Sequence, residues 1–545
     1  MKRVFLAALL MAAVAVQAQD VYKYWVGFTD KGQTIYSLDN PSAYLGPRAL
    51  ERRARQHIEV DSLDIPVCSR YIEVLREMGL KVQHQTKWLN GVVVFAAERD
   101  MMADVYGLPF VRTVQLCEKG PLHMPDSMLW DWGEEYPAHV YDSLYGPDYY
   151  GGGYPQIKQL NGCLLHSGGY SGEGMVIGVC DAGFQGVDVR EAFQAMNEEH
   201  RLLAVRDFVW EDGNVYAMHT HGTHVLSTMA AYLPGIYVGT APRASYVLCR
   251  TENPIAETRL EEYNWIAAAE YLDSLGADII TTSLGYYQFD DSLQNYTPDQ
   301  LDGRTAPMSV AADIAVSRGM LVVNSVGNEG LASPQHLNVP ADARRVLSVG
   351  AVDSDGNTAA FSSYGPTADQ RVKPDVVAMG VHVAVATAMG GWSWNNGTSL
   401  SAPIMAGMMA CLWQRLPHLG PDQLCDSVRS WGSMAHQVDL HQGYGIPDFG
   451  RAMESPLPLS AALADDAGTF KLYPNPAKEY VQCAIGIGAM AEGILVLYDI
   501  TGHEIWRKPV GSGVQTLTMA GLPRGMYWVR LSCAKGVYTR KLVLR

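Results

Sequence analysis

Three short segments carry side chains able to act on one another. An apolar run ends in a carboxylate at Gly178-Val179-Cys180-Asp181-Ala182-Gly183, and Gly183 then turns the chain. His219-Thr220-His221-Gly222-Thr223-His224 places three imidazoles just before the helical pattern of residues 225–231. Gly397-Thr398-Ser399-Leu400-Ser401-Ala402-Pro403 leads into an almost wholly apolar run that ends at Trp413. A helix apolar on every side lies inside a protein, and Pro403 is tolerated in its first turn because the N–H there has no helical partner. Ser399 therefore opens a buried helix, where free N–H groups and the helix dipole favour developing negative charge. That setting suits a hydroxyl that becomes an alkoxide and then holds an oxyanion.

Each segment alone has a plainer reading: Asp181 as the start of a loop, Ser399 as an ordinary N-cap, the histidines as metal ligands. The histidine spacing matches neither His-Glu-x-x-His nor a zinc-finger pattern, so no metal site is assigned. Taken together, Asp at a strand end, then His, then Ser, the last two each opening a helix, follow the chain order of the subtilisin triad. The segments resemble those of the subtilisin-like serine proteases, the subtilases: the Asp181 strand, the His-Gly-Thr-His stretch starting at His221, and Gly-Thr-Ser-x-x-x-Pro around Ser399. Ser325-Val326-Gly327-Asn328-Glu329-Gly330 is similar to the family's oxyanion-hole loop. The likeness covers residues 156–453 and extends to Gly239-Thr240-Ala241-Pro242 and Ser283-Leu284-Gly285.

The resemblance implies a secreted serine endopeptidase that hydrolyses peptide bonds through an acyl-enzyme, made as an autoprocessed zymogen. A serine hydroxyl is a weak nucleophile, so His221, the first His of its stretch, would take the Ser399 proton and return it to the leaving amine. Asp181 would fix the tautomer of His221 and stabilise its cation. The side-chain amide of Asn328 and the backbone N–H of Ser399 would hold the oxyanion. Ser283, Leu284 and Gly285 match the family's edge strand that pairs with the substrate backbone, and Tyr286 and Tyr287 beside it suggest an apolar side-chain preference. His219 is extra and belongs to the preceding loop, while His224 falls three residues into the helix. Cys180 adjoins Asp181, but strand alternation turns its thiol to the opposite face, as a buried side chain. No metal or organic cofactor is required for this catalysis. Calcium is common in the family, yet Asp-bearing loops such as 353–357 contain no contiguous calcium-loop motif, which leaves structural calcium open.

These side chains need a frame. Between residues 156 and 454 apolar or β-branched runs at 175–180, 279–282, 320–323 and 346–351 have the form of strands covered on both faces, and helical patterns such as 259–275 and 308–318 separate them. That alternation predicts an α/β fold with right-handed crossovers and a site at the carboxyl ends of parallel strands; the resemblance makes it a subtilisin-like three-layer sandwich. Ahead of it, residues 19–117 form a smaller α+β unit. Strands at 21–28, 91–96 and 110–116, a helix bearing Tyr71, Leu75 and Met78 on one face, and a second helix at 98–106 give a ferredoxin-like β-α-β-β-α-β order, similar to the inhibitory propeptides of subtilases. The linker at 118–155 is rich in Pro, Gly, Asp and Tyr and would hold the processing site. A second linker at 455–468 precedes an all-β module at 469–545, with strands at 494–500, 526–531 and 537–544. Leu472-Tyr473-Pro474-Asn475-Pro476-Ala477, Leu497-Tyr498-Asp499-Ile500-Thr501-Gly502 and Leu522-Pro523-Arg524-Gly525-Met526-Tyr527 resemble a type IX secretion sorting domain; a sugar- or cell-wall-binding β-sandwich is the alternative.

Composition sets the outer limits. The 545 residues carry a formal net charge of −16, which repels phosphate backbones and anionic lipid headgroups, so nucleic acid is not an expected partner. Lys2 and Arg3, the apolar run 4–16 and the small residues at Val16-Gln17-Ala18 read as an export signal at 1–18, too short to span a bilayer. Secretion, or display at the outer-membrane surface after passage through the periplasm, follows. Nine cysteines include no Cys-x-x-Cys, and Cys483 with Cys533 is a candidate pair. The expected partners are protein or peptide substrates, the chain's own propeptide and, through the C-terminal module, the secretion machinery. Two other readings compete with the protease: an inactive subtilase fold serving as a surface-binding protein, and a histidine-rich metal site.

Overall fold

The computed structural model describes residues 20–32, 34–121, 146–333, 335–454, 470–485, 493–511, 513–533 and 536–545. The signal segment and the second linker lie outside these residues, as does most of the first linker. At the centre is a seven-stranded parallel sheet in the order Val376–Met379, Leu347–Val352, Leu321–Ser325, Ile279–Thr282, Val176–Asp181, Ser245–Arg250, Leu202–Asp207. The runs read as doubly covered strands are buried at every residue. The edge strand Leu202–Asp207 is mostly half-buried or exposed, with Asp207 buried at its end. The Asp181 strand is internal, between Ile279–Thr282 and Ser245–Arg250, and its carboxyl end opens where the chain reverses direction across the sheet.

Two apolar layers flank the sheet. One contains the helices Thr398–Arg415 and His221–Ala230, joined in a core with Val225, Leu226, Met405, Met408 and Met409. The other contains Leu260–Leu275 and Pro307–Ser317. Helix Leu260–Leu275 begins with Glu261 and Glu262 in its first turn and stops at Gly276 with φ +87°. A side chain at Gly276 would also fall 2.7 Å from the Ala49 backbone nitrogen of the N-terminal unit, so this glycine serves a close approach as well as a turn.

The N-terminal unit has a four-stranded antiparallel sheet in the order Lys81–Thr86, Gly91–Ala96, Asp20–Phe28, Val111–Pro121, the ferredoxin-like arrangement expected. Its helix Ser69–Glu77 buries Ile72 and Leu75. The second expected helix is instead two 3-10 turns, Arg99–Met102 and Val105–Gly107, because this polar stretch has only Met102 and Val105 to bury. A helix that the sequence reading did not anticipate, Pro47–Arg55, buries Ala49 together with Arg52 and Arg53.

Those arginines dock the unit on the central domain. Arg52 and Arg53 are each 1% exposed, and both pair with the buried Asp273 of helix Leu260–Leu275. Lys87 reaches the same carboxylate at 3.2 Å, and Arg53 also meets Asp64 at 2.6 Å. Burial alone would raise the Asp273 carboxyl, but Lys87, Arg52 and Arg53 hold it at about 2. Around this cluster Trp25 stacks on Tyr263 with centroids 4.6 Å apart, and Trp88, Val93 and Cys117 enter the same apolar layer as the helix.

The C-terminal module is two antiparallel sheets, of three and four strands, closed on one core that includes Phe470, Leu497, Val529 and Leu542. Cys483 is buried in it, and the side chain of Cys533, hence the candidate pair, lies outside the described residues.

Candidate active site

Asp181 is the last residue of its strand and 0% exposed. The Ala182 N–H donates to its Oδ1 at 2.8 Å and the Thr251 N–H to its backbone carbonyl at 3.0 Å, so neighbouring strand ends hold the carboxylate in place. His221 Nδ1 lies 2.7 Å from the same Oδ1. A proton held on Nδ1 by that bond leaves the Nε2 lone pair available to accept another. Two glycines permit this approach. A Cβ on Gly222 would lie 2.5 Å from the Gly183 carbonyl, and one on Gly183 would lie 2.9 Å from the carbonyls of Ala217 and His219. Burial by itself lowers the proton affinity of the His221 imidazole, but the Asp181 charge and hydrogen bond outweigh it and the pKa is raised.

Ser399 is the second residue of helix Thr398–Arg415, in the turn whose N–H groups lack helical acceptors. The residue before the helix, Gly397, has φ +149°, and a Cβ there would stand 2.8 Å from Ser399 Oγ and 3.9 Å from Asn328 Nδ2. The space in front of both polar atoms is open because this residue has no side chain. Asn328 is oriented by its other end: Oδ1 accepts from the Thr398 N–H at 2.9 Å and from Thr398 Oγ1 at 3.0 Å, leaving the amide NH2 to the Gly397 side. Ser283 Oγ donates to the Ser399 carbonyl at 2.7 Å, tying the Ser283-Leu284-Gly285 segment to the start of the helix.

One open cavity of about 510 Å³ collects these groups: His221, Ser399, Asn328 and the segment Ser283-Leu284-Gly285 all line it, with Asp181 behind His221. The structure thus brings together Asp181, His221, Ser399, Asn328 and the segment Ser283-Leu284-Gly285. His219 also lines the cavity, and its Nδ1 accepts from the His221 N–H at 3.2 Å. Burial, then the nearby His221 charge, lowers its pKa. His224 turns away to Asn395, and burial followed by the His221 charge lowers it to about 4. Among the described residues the group spaced to hold a metal is Glu252, Glu257 and Glu261, not the histidines. In the 353–357 loop the Asp353 carboxylate is taken up by the N–H groups of Asp355 and Asn357 at 2.9 Å each. Cys180 is fully buried beside Cys249, and burial, with that neighbour adding, pushes its thiol far up.

The tyrosines expected at the groove are elsewhere. Tyr286 is fully buried, donates to Glu252 at 3.1 Å and stacks on Phe289, because its backbone bridges to Val339 and turns the ring inward. Tyr287 stacks on His336 at 3.6 Å. The sequence reading also missed Glu252, Glu257, Asp290 and Asn338 on the cavity wall. They sit in irregular loops with no periodic signal; Glu329 alone lay inside a noted motif.

Comparison with known proteins agrees with this fold. The family model described as "Subtilase family" matches residues 172–445, half of the chain. A "Peptidase S8 propeptide domain, Bacteroidota" matches 23–126, and a "Secretion system C-terminal sorting domain" matches 471–545. Subtilisin NAT of Bacillus subtilis subsp. natto is 30% identical over 367 residues, covering 66% of this chain and 79% of its own. Subtilisin of Bacillus pumilus is 31% identical over 281 residues, covering 50% and 89%. The crystal structure of MycP1 from the ESX-1 type VII secretion system aligns at TM-score 0.45 and 20% identity over 60% of this chain and 92% of that one.

The chain belongs to the subtilase family. It is a subtilisin-like serine endopeptidase made as a zymogen, with a propeptide domain ahead of the catalytic domain and an export sorting domain behind it.

Proposed function

We propose that Ser399 is the nucleophile, His221 the general base and acid, and Asp181 the group that orients His221 and stabilises its cation. The observation that carries this is the 2.7 Å contact of His221 Nδ1 with the buried Asp181 carboxylate, in a site whose cavity also holds Ser399 and Asn328. His221 Nε2 takes the Ser399 proton as Oγ attacks the scissile carbonyl. The oxyanion that forms is held by Asn328 Nδ2 and the Ser399 N–H, and His221 then protonates the leaving amine. Water repeats the sequence on the acyl-enzyme. Ser283, Leu284 and Gly285 hold the substrate backbone along the cavity edge. Catalysis on this reading needs no metal or organic cofactor.

The division of labour extends along the chain. Residues 1–18 act as an export signal, 19–117 as an intramolecular inhibitor, and 118–155 as the linker that is cut. Residues 156–454 catalyse, 455–468 connect, and 469–545 engage the secretion machinery, delivering the enzyme outside the cell or to the outer-membrane surface. The inhibitory role is supported by the end of strand Val111–Pro121. Gln294 Nε2 reaches the Leu116 carbonyl at 3.4 Å and Thr258 Oγ1 reaches Glu118 at 3.4 Å, so the departing chain runs beside the 253–258 loop that walls the catalytic cavity. Packing of the catalytic domain reaches back into the first linker, since Tyr150 is fully buried against Ile157 and Val238.

The test is peptide hydrolysis by processed enzyme and by Ser399→Ala and His221→Ala. Each substitution is expected to lower kcat by about 10⁴-fold or more. Turnover by either variant within about tenfold of wild type contradicts the assignment.

A further inference from the structure

The catalytic cavity is lined by four carboxylates, Glu252, Glu257, Asp290 and Glu329, and among the described residues by no lysine or arginine. They arrive from the carboxyl ends of three parallel strands. Glu252 and Glu257 follow Ser245–Arg250, Asp290 follows Ile279–Thr282, and Glu329 follows Leu321–Ser325. Their placement is built. The Glu257 N–H donates to Asp290 Oδ2 at 3.2 Å and the Asp290 N–H to the Glu257 carbonyl at 2.9 Å, locking two of the loops together. Glu261, inside helix Leu260–Leu275, accepts the N–H groups of Asn253 at 2.7 Å and Thr258 at 2.8 Å, which shapes the loop bearing Glu252 and Glu257.

A second observation points the same way. Asn338, only 9% exposed, lines this cavity; its Nδ2 is directed at the Gly285 carbonyl, and its Oδ1 is buried without a partner. Gly327, at φ +105°, makes room for it. A Cβ there would fall 2.9 Å from Asn338 Nδ2 and 2.4 Å from Glu329 Oε2. Glu252 accepts from the Tyr286 hydroxyl at 3.1 Å and Glu329 Oε2 from Ser363 Oγ at 3.1 Å, but among the described residues no cationic lysine or arginine lines the cavity to balance the four carboxylates. Burial raises the Glu257 carboxyl to about 7, with the charges of Asp290 and Glu329 adding to it, as expected where negative charge is left unbalanced. A buried acceptor without a donor, beside partly desolvated carboxylates, is costly until a ligand supplies both charge and N–H groups.

We infer that the enzyme selects substrates by a lysine or arginine side chain on the acyl side of the scissile bond, seated among Glu252, Glu257, Asp290 and Glu329 with Asn338 Oδ1 accepting one of its N–H groups. The inference rests on the catalytic reading proposed above. It replaces the apolar preference that Tyr286 and Tyr287 suggested, since neither ring lines the cavity.

The experiment uses enzyme processed from the full chain and fluorogenic peptides that differ at a single acyl-side position, carrying lysine, arginine, norleucine or glutamate at each of the four positions nearest the cut in turn. At one position kcat/KM for lysine and arginine should exceed that for norleucine by roughly 10-fold or more and that for glutamate by roughly 100-fold or more. Glu257→Gln and Glu329→Gln should each lower the lysine-to-norleucine ratio several-fold, and the wild-type peptide series decides the matter even where a variant does not fold. Equal rates on lysine and norleucine at all four positions, with Ser399 still labelled by a fluorophosphonate, overturn the inference and leave the protease reading standing. Absence of labelling overturns both. An activity removed by EDTA and restored by calcium, without a lysine preference, assigns the carboxylates to a bound cation and overturns the inference as well.

Discussion

At the scale of single residues, the value of Asp181 lies in being an acceptor that cannot move. Asp181→Asn would keep the shape but offer an N–H to His221 Nδ1, favouring the tautomer with its proton on Nε2, where Ser399 needs a lone pair. kcat should fall by roughly 10⁴-fold with little change in KM. The same contact sets the pH profile. As the proposed base His221 must be neutral, and its pKa is raised, so kcat/KM should climb with pH through a value above that of an ordinary histidine and be lost as the pH falls below it. In the Asp181→Asn variant the residual activity should show that limb moved to lower pH, because the charge that raises His221 is gone. On the proposed assignment Asn328→Ala removes one oxyanion donor and should cost about 3–4 kcal/mol in kcat, roughly 10²–10³-fold. Gly397→Ala should be as damaging by a different route, since its methyl group would occupy the space before Ser399 Oγ and its φ of +149° disfavours any side chain. Residues of this kind were legible in the sequence because each belongs to a short motif whose neighbours dictate the local geometry. Glu252, Glu257, Asp290 and Asn338 were not, because three separated loops bring them to one cavity and no loop by itself carries a signal.

At the scale of elements, legibility followed apolar pattern. Strand Ile279–Thr282 and helix Leu260–Leu275 lie where their apolar runs placed them, give or take a residue, because burial on both faces of a sheet leaves few alternatives. Helix Pro47–Arg55 escaped the same reasoning since its buried face is Arg52 and Arg53, whose partner Asp273 lies more than two hundred residues away in sequence. The reverse error occurred at 98–106, where a helical reading met a stretch with too little to bury. The arginine cluster yields its own prediction. Asp273→Asn strips the shared carboxylate from three buried cations, which should destabilise the docked propeptide unit by about 3–5 kcal/mol. Thermal unfolding of the Ser399→Ala zymogen with and without Asp273→Asn measures this, and an unchanged transition would deny the cluster its role. With its pKa held at about 2, Asp273 should maintain its contribution at neutral pH and lose it only as the pH falls from the ordinary carboxyl range towards 2.

At the scale of the whole molecule, the catalytic domain and the propeptide unit meet around one cavity. The parallel sheet delivers Asp181 and the cavity loops from its carboxyl edge, the helices opened by His221 and Ser399 close on that edge, and the propeptide unit covers helix Leu260–Leu275 while sending its last strand along the cavity wall. The separation into units was readable from the two changes of composition that bound the catalytic domain. The docking of the first unit on the second was not, because it depends on surfaces that become complementary only once both are folded. The most direct test of the account is intact-mass analysis after fluorophosphonate treatment of the processed enzyme, with peptide mapping of the adduct, beside the Ser399→Ala chain. The account predicts one adduct on wild type, located at Ser399, and none on the variant, whose propeptide should also remain uncut. Folded wild type with its propeptide removed that takes up no label, or takes it up at another residue, would contradict the account.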